Sequence, residues 1–132
     1  MTFKLINPAA LGTPRGYSNG VLTDAGGRLL FVAGQVGWNE KQAIVSENFV
    51  KQFDRALANV ITVVSDAGGR PDQIARLVIY VTNKKEYTKS LTEVGECYRA
   101  RMGKHFPAMV LVEVKSLLDD NAKVEIEGIA VL

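Results

Sequence analysis

Two runs near the end of the chain constrain its fold most: Phe106-Pro107-Ala108-Met109-Val110-Leu111-Val112-Glu113-Val114 and Val124-Glu125-Ile126-Glu127-Gly128-Ile129-Ala130-Val131. Both alternate with the period that sends successive side chains of a strand to opposite faces. Read on that period, Met109, Leu111, Glu125 and Glu127 share the side opposite the valines and isoleucines. Two carboxylates two residues apart on one strand face are out of place in an ordinary core, because burial strips an ionised group of its water. Either that face is wet or it lines a site.

The rest of the chain supplies partners for these strands. Phe3 to Ile6 reads as a short first strand stopped by Asn7-Pro8. Tyr17 to Thr23 and Arg28 to Ala33 read as two strands joined in a hairpin through Asp24-Ala25-Gly26-Gly27, where glycines accept the positive φ of tight turns. Leu29-Leu30-Phe31-Val32-Ala33 is apolar on both faces, which predicts a central strand, and Gly34 to Ile44 reads as a loop. Phe49, Phe53, Leu57, Val60 and Val64 then recur at helical spacing up to a stop at Gly68-Gly69. Ile74 to Val81 is rich in strand formers. Asn83, with Glu86 three residues on, forms a capping-box pattern that opens a second helix carrying Tyr87, Leu91, Val94, Tyr98 and Met102 on one stripe. Gly103 closes it.

The resulting order, β-β-β-α-β-α-β-β, predicts an α+β fold with two helices on one face of a mixed sheet. The opposite face is left with Met109, Leu111, Glu113, Glu125 and Glu127. That mixture is too apolar for open solvent and too charged for a closed core. A subunit interface enclosing small wet pockets meets both conditions.

A chain of 132 residues fits one domain, here residues 1–132. By size scaling such a domain buries roughly two-thirds of the surface its unfolded chain exposes, so no disulfide or metal staple is needed. With 47% hydrophobic and 23% charged residues, wholesale disorder is excluded. The 16 basic residues are scattered, with only Lys84-Lys85 resembling a cluster, so no nucleic-acid partner is expected. Cys97 is the only cysteine and His105 the only histidine, which together cannot supply a zinc site. Gly34-Gln35-Val36-Gly37 lacks both the Lys-Ser/Thr ending of a P-loop and the spacing of a dinucleotide fingerprint. No metal and no cofactor is therefore expected. An unpaired Cys97, the lack of a signal-peptide pattern and the lack of an apolar run near the roughly 18 residues of a membrane span predict a cytoplasmic protein that does not engage a membrane.

Several spaced motifs together resemble the RidA/YjgF family over nearly the whole chain. They are Gly16-Tyr17-Ser18-Asn19-Gly20, Phe31-Val32-Ala33-Gly34-Gln35-Val36, Asn59-Val60 ahead of Ala67-Gly68-Gly69, Val78-Ile79-Tyr80-Val81-Thr82, Phe106-Pro107-Ala108, and Val124-Glu125-Ile126-Glu127. The resemblance implies a chorismate-mutase-like fold, a homotrimer closed by its sheets, and ligand clefts between subunits. It further implies hydrolysis of enamine or imine intermediates to carbonyl compounds and ammonia. In the family pattern an arginine follows the Pro-Ala pair and clamps the substrate carboxylate, a bidentate task suited to guanidinium. Here that position is Met109, the small or cysteine position two residues on is Leu111, and the serine before the Gly-Gln pair is Ala33. Methionine offers neither charge nor donors, so the chain resembles an arginine-lacking branch.

What carries over from the family is Tyr17, the Gly34-Gln35 turn and Glu125, the last at the position where family enzymes hold a hydrolytic water. Glu125 is thus the catalytic candidate, since a carboxylate in a partly apolar cleft can hold water against an imine carbon. Its bland alternative is a solvated or salt-bridged interface carboxylate. Glu127 reads as an interface or hydrogen-bonding residue. Tyr17 either offers its phenol to substrate or packs at a pocket rim. Met109 and Leu111 either wall the cleft or fill trimer core. Ala33, Gly34 and Gln35 are expected around the ligand, and Trp38 either covers the pocket or caps the core edge. Two functions stay open: a RidA-like hydrolase whose substrate differs from small anionic 2-imino acids, and a non-catalytic small-molecule-binding or interaction protein using the same clefts.

Overall fold

The last run of the sequence becomes an inner strand of the sheet. In a computed structural model describing residues 3–24 and 26–132, strands β3 (Leu29–Val36), β4 (Ile74–Val81), β5 (Ala108–Glu113) and β6 (Val124–Val131) form one sheet in the order β3-β6-β4-β5. β6 runs antiparallel to β3 and to β4, while β5 runs parallel to β4. Parallel neighbours need a crossover. Helices α2 (Lys84–Lys89) and α3 (Leu91–Met102) supply it. Helix α1 (Phe49–Asp66) connects β3 to β4.

The apolar stripe expected of α1 is buried as a unit: Phe49, Phe53, Leu57, Val60 and Val64 all lie in the core with Leu77, Ile79, Val124 and Ile126 of the sheet. Burying each such side chain contributes about 1.5–3 kcal/mol. The helix starts where Asn48 Oδ1 accepts a hydrogen bond from the Lys51 amide at 3.0 Å. It stops at Gly68, whose φ of +87° is cheap only for glycine.

The second helical segment is two helices rather than one. Asn83 caps α2 through the Lys85 amide at 3.0 Å, but Glu86 does not close a capping box. Its carboxylate instead takes Lys123 Nζ at 3.0 Å. The chain breaks at Ser90, so Tyr87 packs edge-on against Phe49 while Val94, Tyr98 and Met102 line α3. The break turns Leu91 outward, leaving it 53% exposed.

At the N-terminus the expected hairpin pairing is also different. Strand β2 (Gly20–Leu22) pairs with β1 (Lys4–Ile6) in a separate two-stranded sheet and not with β3. Ala25, within the expected turn, lies outside the described residues. The reason for the altered pairing lies in Ser18, which is buried against the start of β5. Its amide donates to Pro107 O at 2.9 Å and its hydroxyl to Phe106 O at 2.5 Å. Anchored there, the preceding segment sits by the edge opposite β3. Consequently β3 is an edge strand, not a central one, and Leu29 and Phe31 are exposed. It is also longer than expected, running through Gly34-Gln35 to Val36.

Among the described residues no helix is long and apolar enough to cross a membrane.

Candidate functional site

The helices cover one face of the sheet and leave the other bare. Cross-strand register sorts the side chains. Leu77 stands opposite Met109, and Ile79 opposite both Leu111 and Ile126, on the helix side. Val78 stands opposite Glu127 and Val110, and Tyr80 opposite Glu125 and Val112, on the bare side. Met109 and Leu111 therefore do not share a face with Glu125 and Glu127; they pack, half-buried, against the core. Alternation fixes the parity of each strand but not which parity meets the helices. In β5 the longer side chains fill the helix side and the valines are left bare, while in β6 the valine and isoleucine go inward.

Glu125 is held by its two flanks. On one side β3 carries an irregularity in its pairing with β6 between Val32 and Gln35, with Ala33 and Gly34 at the break. Bulges of this kind re-aim side chains and end regular pairing. Gly34 is the residue against which the Glu125 carboxylate lies: a methyl group there would fall 2.2 Å from Glu125 Oε1. Glycine is needed here for close approach, not for backbone freedom. Gln35 spans the irregularity by donating its side-chain amide to Ala33 O at 3.1 Å. On the other flank of Glu125 stands Tyr80 of β4.

The two carboxylates differ in what they bind. Glu127 Oε1 accepts the Tyr80 hydroxyl at 2.5 Å. That bond is the chief reason the Tyr80 phenol is raised above its ordinary pKa, with burial and the charges of Glu127 and Glu125 adding to it. Glu125, half-buried, makes no side-chain hydrogen bond or ion pair among the described residues.

Helix α1 fixes both strands around Glu125 through two polar residues that the sequence reading did not assign to the site. Fully buried Gln52 donates to Ser46 O at 2.8 Å and to Asn121 O at 3.0 Å, and accepts from the Lys123 amide at 2.8 Å. It thereby fixes the entry of β6 two residues before Glu125. Asn59 donates to Val36 O at 3.0 Å and Trp38 O at 2.9 Å, fixing the exit of β3. Gln52 had a signal in the sequence, being the polar residue set between Phe49, Phe53 and Ala56 on a buried stripe. Trp38 is half-buried on the loop that Asn59 holds.

Tyr17 is not brought to Glu125 within one chain. It precedes Ser18, which bridges to Ala108 at the start of β5, beside Arg76. Arg76 and Tyr80 are four residues apart on β4, about 13 Å at strand rise. His105 lies at that same end, its Nε2 2.6 Å from Ile74 O, with Tyr98 donating to its carbonyl at 2.6 Å. A hollow of about 960 Å³ lies beyond the other end of the sheet between residues 42–47, 82–86 and 115–123. Its Lys115 and Lys123 are outnumbered by Glu47, Glu86, Asp119 and Asp120, and its lining does not include Gly34, Tyr80, Glu125 or Glu127. Among the described residues no group of His, Cys, Asp and Glu gathers that could hold a metal ion.

Fold and face together define a class: a small α+β protein with helices on one side of a mixed sheet and a carboxylate-bearing, partly apolar face on the other. Residues 8–132 match the family described as Endoribonuclease L-PSP, and the chain belongs to that family, the Rid or RidA/YjgF proteins. A RutC family protein of Aquifex aeolicus is 37% identical over 102 residues, covering 77% of this chain and 79% of its own length. The structure of YyfB from Yersinia pestis, a protein of unknown function in the conserved Rid family, superposes with a TM-score of 0.88 at 30% identity, covering all of both chains. TdcF of E. coli, solved with bound serine, is 26% identical with a TM-score of 0.68, covering 92% of this chain and 91% of its own.

Proposed function

We propose that this chain is a Rid-type hydrolase that deaminates an enamine or imine intermediate, with Glu125 as the residue that holds and activates water. The observation that carries this reading is the Glu125 carboxylate itself: half-buried, lying over Gly34, and without a hydrogen-bond partner among the described residues. An available acceptor on a partly apolar face is what a general base for water requires. Glu125 would take a proton as the water oxygen bonds to the imine carbon. The resulting carbinolamine would lose its protonated nitrogen as ammonia, the C–N bond breaking as the carbonyl forms.

A single chain supplies only part of such a site, and this favours assembly. Leu29, Phe31, Val110 and Val112 leave an apolar bare face, with Phe31 69% exposed, and such faces mark interaction surfaces. We infer a homotrimer closed by these faces, in which Tyr17 of one subunit completes the cleft at Ala33, Gly34, Gln35 and Glu125 of the next. Trp38 would border that cleft. Met109 and Leu111 would act from beneath β5 rather than as its wall.

The position of the family's carboxylate clamp holds Met109, so the preferred substrate is not a small anionic 2-imino acid. The purified protein is expected to hydrolyse an uncharged imine such as N-benzylidenemethylamine faster than 2-iminopropionate. Glu125→Gln should lower turnover about 10²-fold or more, within the range for a lost general base. Equal turnover in wild type and Glu125→Gln would remove the catalytic role.

A second reading, a non-catalytic small-molecule binder using the same cleft, is favoured by the core packing of Met109 and by the bound serine of the TdcF structure. Retained binding of small amino acids with no turnover of either imine would select it. The ribonuclease activity in the family's description forms no part of either reading, because the basic side chains are scattered.

A further inference from the structure

The geometry points to Tyr80 as a positioning residue that holds Glu127 aside and so leaves Glu125 as the carboxylate free to engage a ligand over Gly34. This rests on the role given to Glu125 above. Tyr80 stands directly across from Glu125 in the β4–β6 pairing, yet its hydroxyl reaches diagonally to Glu127 at 2.5 Å. The phenol donates and a Glu127 carboxylate oxygen accepts, an O–H to carboxylate pairing of the stronger kind of side-chain hydrogen bond. The phenol is raised above its ordinary pKa, so it keeps its proton and the bond persists through neutral pH.

Without that bond the face would carry two equivalent carboxylates. Glu125 and Glu127 are two residues apart on one side of a strand, about 7 Å at strand rise. A released Glu127 side chain could reach a ligand held by Glu125, and its charge would compete for the same water or substrate nitrogen. Tyr80 also decides which way Glu125 leans. Its ring fills the β4 flank, whereas Gly34 on the β3 flank has no side chain to obstruct the carboxylate. Arg76 is the other charged side chain that β4 presents to this face, and β3 and β5 present Leu29, Phe31, Val110 and Val112 there. Arg76 acts on the phenol only through its charge and makes no hydrogen bond to Glu127 among the described residues, so the Tyr80 hydroxyl is the side-chain donor that holds Glu127 there.

The test compares wild type, Tyr80→Phe, Glu127→Gln and the double variant, using N-benzylidenemethylamine as the probe and carboxyl ¹³C NMR of glutamate-labelled protein. Tyr80→Phe keeps the ring and removes only the hydroxyl. It is expected to lower kcat about tenfold, the scale of a small misplacement in a site, with KM changed less than about twofold. Adding Glu127→Gln should recover most of the loss, because the amide brings no charge to compete. In the spectra the Glu125 carboxyl resonance should move in Tyr80→Phe and return in the double variant. An unchanged kcat in Tyr80→Phe, or losses that simply add in the double variant, would overturn the proposal. If wild type fails to hydrolyse the probe, the hydrolase reading falls and the spectra alone decide. A Glu125 resonance indifferent to Tyr80→Phe then sinks the positioning role, and a resonance that moves sustains it.

Discussion

The two faces of the four-stranded sheet are made from alternate residues of the same strands, yet they are completed by different means. The helix face is closed within the chain: Phe53, Leu57, Leu77, Val124 and Ile126 are each at most 2% exposed. The bare face leaves Leu29 61% and Phe31 69% exposed and sets Tyr80, Glu125 and Glu127 among them. The helix face therefore bears the stability of the single chain. The bare face keeps polar groups that a closed core would not tolerate, and these are the groups with chemistry to offer.

The sharpest way to break that division is to damage each face in turn. Phe53→Ala should lower the unfolding free energy by about 3–5 kcal/mol, from lost transfer energy plus a cavity, as read by urea denaturation. A loss under about 1 kcal/mol would mean that the helix face is not the stabilising one.

On the bare face, Gly34→Ala should act on the site and spare the fold. The added methyl group meets the flexible end of Glu125, which can swing away, so stability should change by less than about 1 kcal/mol. Turnover of the uncharged imine should fall about 10²-fold as the carboxylate is displaced. Full activity in this variant would separate Gly34 from the site.

Phe31→Glu tests what covers the face. The side chain is already exposed, so the unfolding free energy of the single chain should shift by less than about 1 kcal/mol. Sedimentation velocity should nevertheless show loss of the oligomer. An unchanged sedimentation coefficient would take the bare face out of the assembly.

The smallest effect is expected on the outer side of the helices. Arg101 of α3 donates to Asp54 of α1 through Nε at 2.6 Å and Nη2 at 3.0 Å. The hydrogen bonds hold the Asp54 carboxyl below its ordinary pKa, against a smaller upward push from burial. A lowered folded pKa means the stabilisation is complete above the ordinary aspartate value of about 4 and fades as pH falls through the folded one. Both side chains are 36% exposed, so screening keeps the gain small. Asp54→Asn should cost about 0.5 kcal/mol at pH 7, and the gap from wild type should close in acid. A gap independent of pH would assign the effect to something other than the ion pair.

Much of the fold was legible because it depends on local periodicity. The buried stripe of α1 and the bounds of β4 and β6 follow from spacing that one element imposes on its own side chains. The misread features depend on a partner. An all-apolar run such as Leu29 to Ala33 looks central, yet β3 lies at the edge because Ser18 ties the preceding segment near β5. The helix break at Ser90 and the turn of Glu86 toward Lys123 likewise depend on what each side chain meets in space. Within the site, Glu125 and Gly34 were singled out from sequence, but their mutual contact was not. Gln52 and Asn59 were polar breaks in an apolar pattern whose hydrogen-bond partners lie 21 to 71 residues away, apart from Ser46 at six and Arg55 at four.

The sequence by itself determined that these strands alternate, that the chain carries the family's motifs, and that a methionine, Met109, follows the Pro107-Ala108 pair. Only the tertiary structure decided that Met109 and Leu111 turn toward the helices while Glu125 and Glu127 do not. It also decided that Tyr80 engages Glu127 and leaves Glu125 over Gly34. The physical reason is that a period of two assigns side chains to opposite faces without naming the faces, and the names come from register against neighbouring strands and from the side the helices cover.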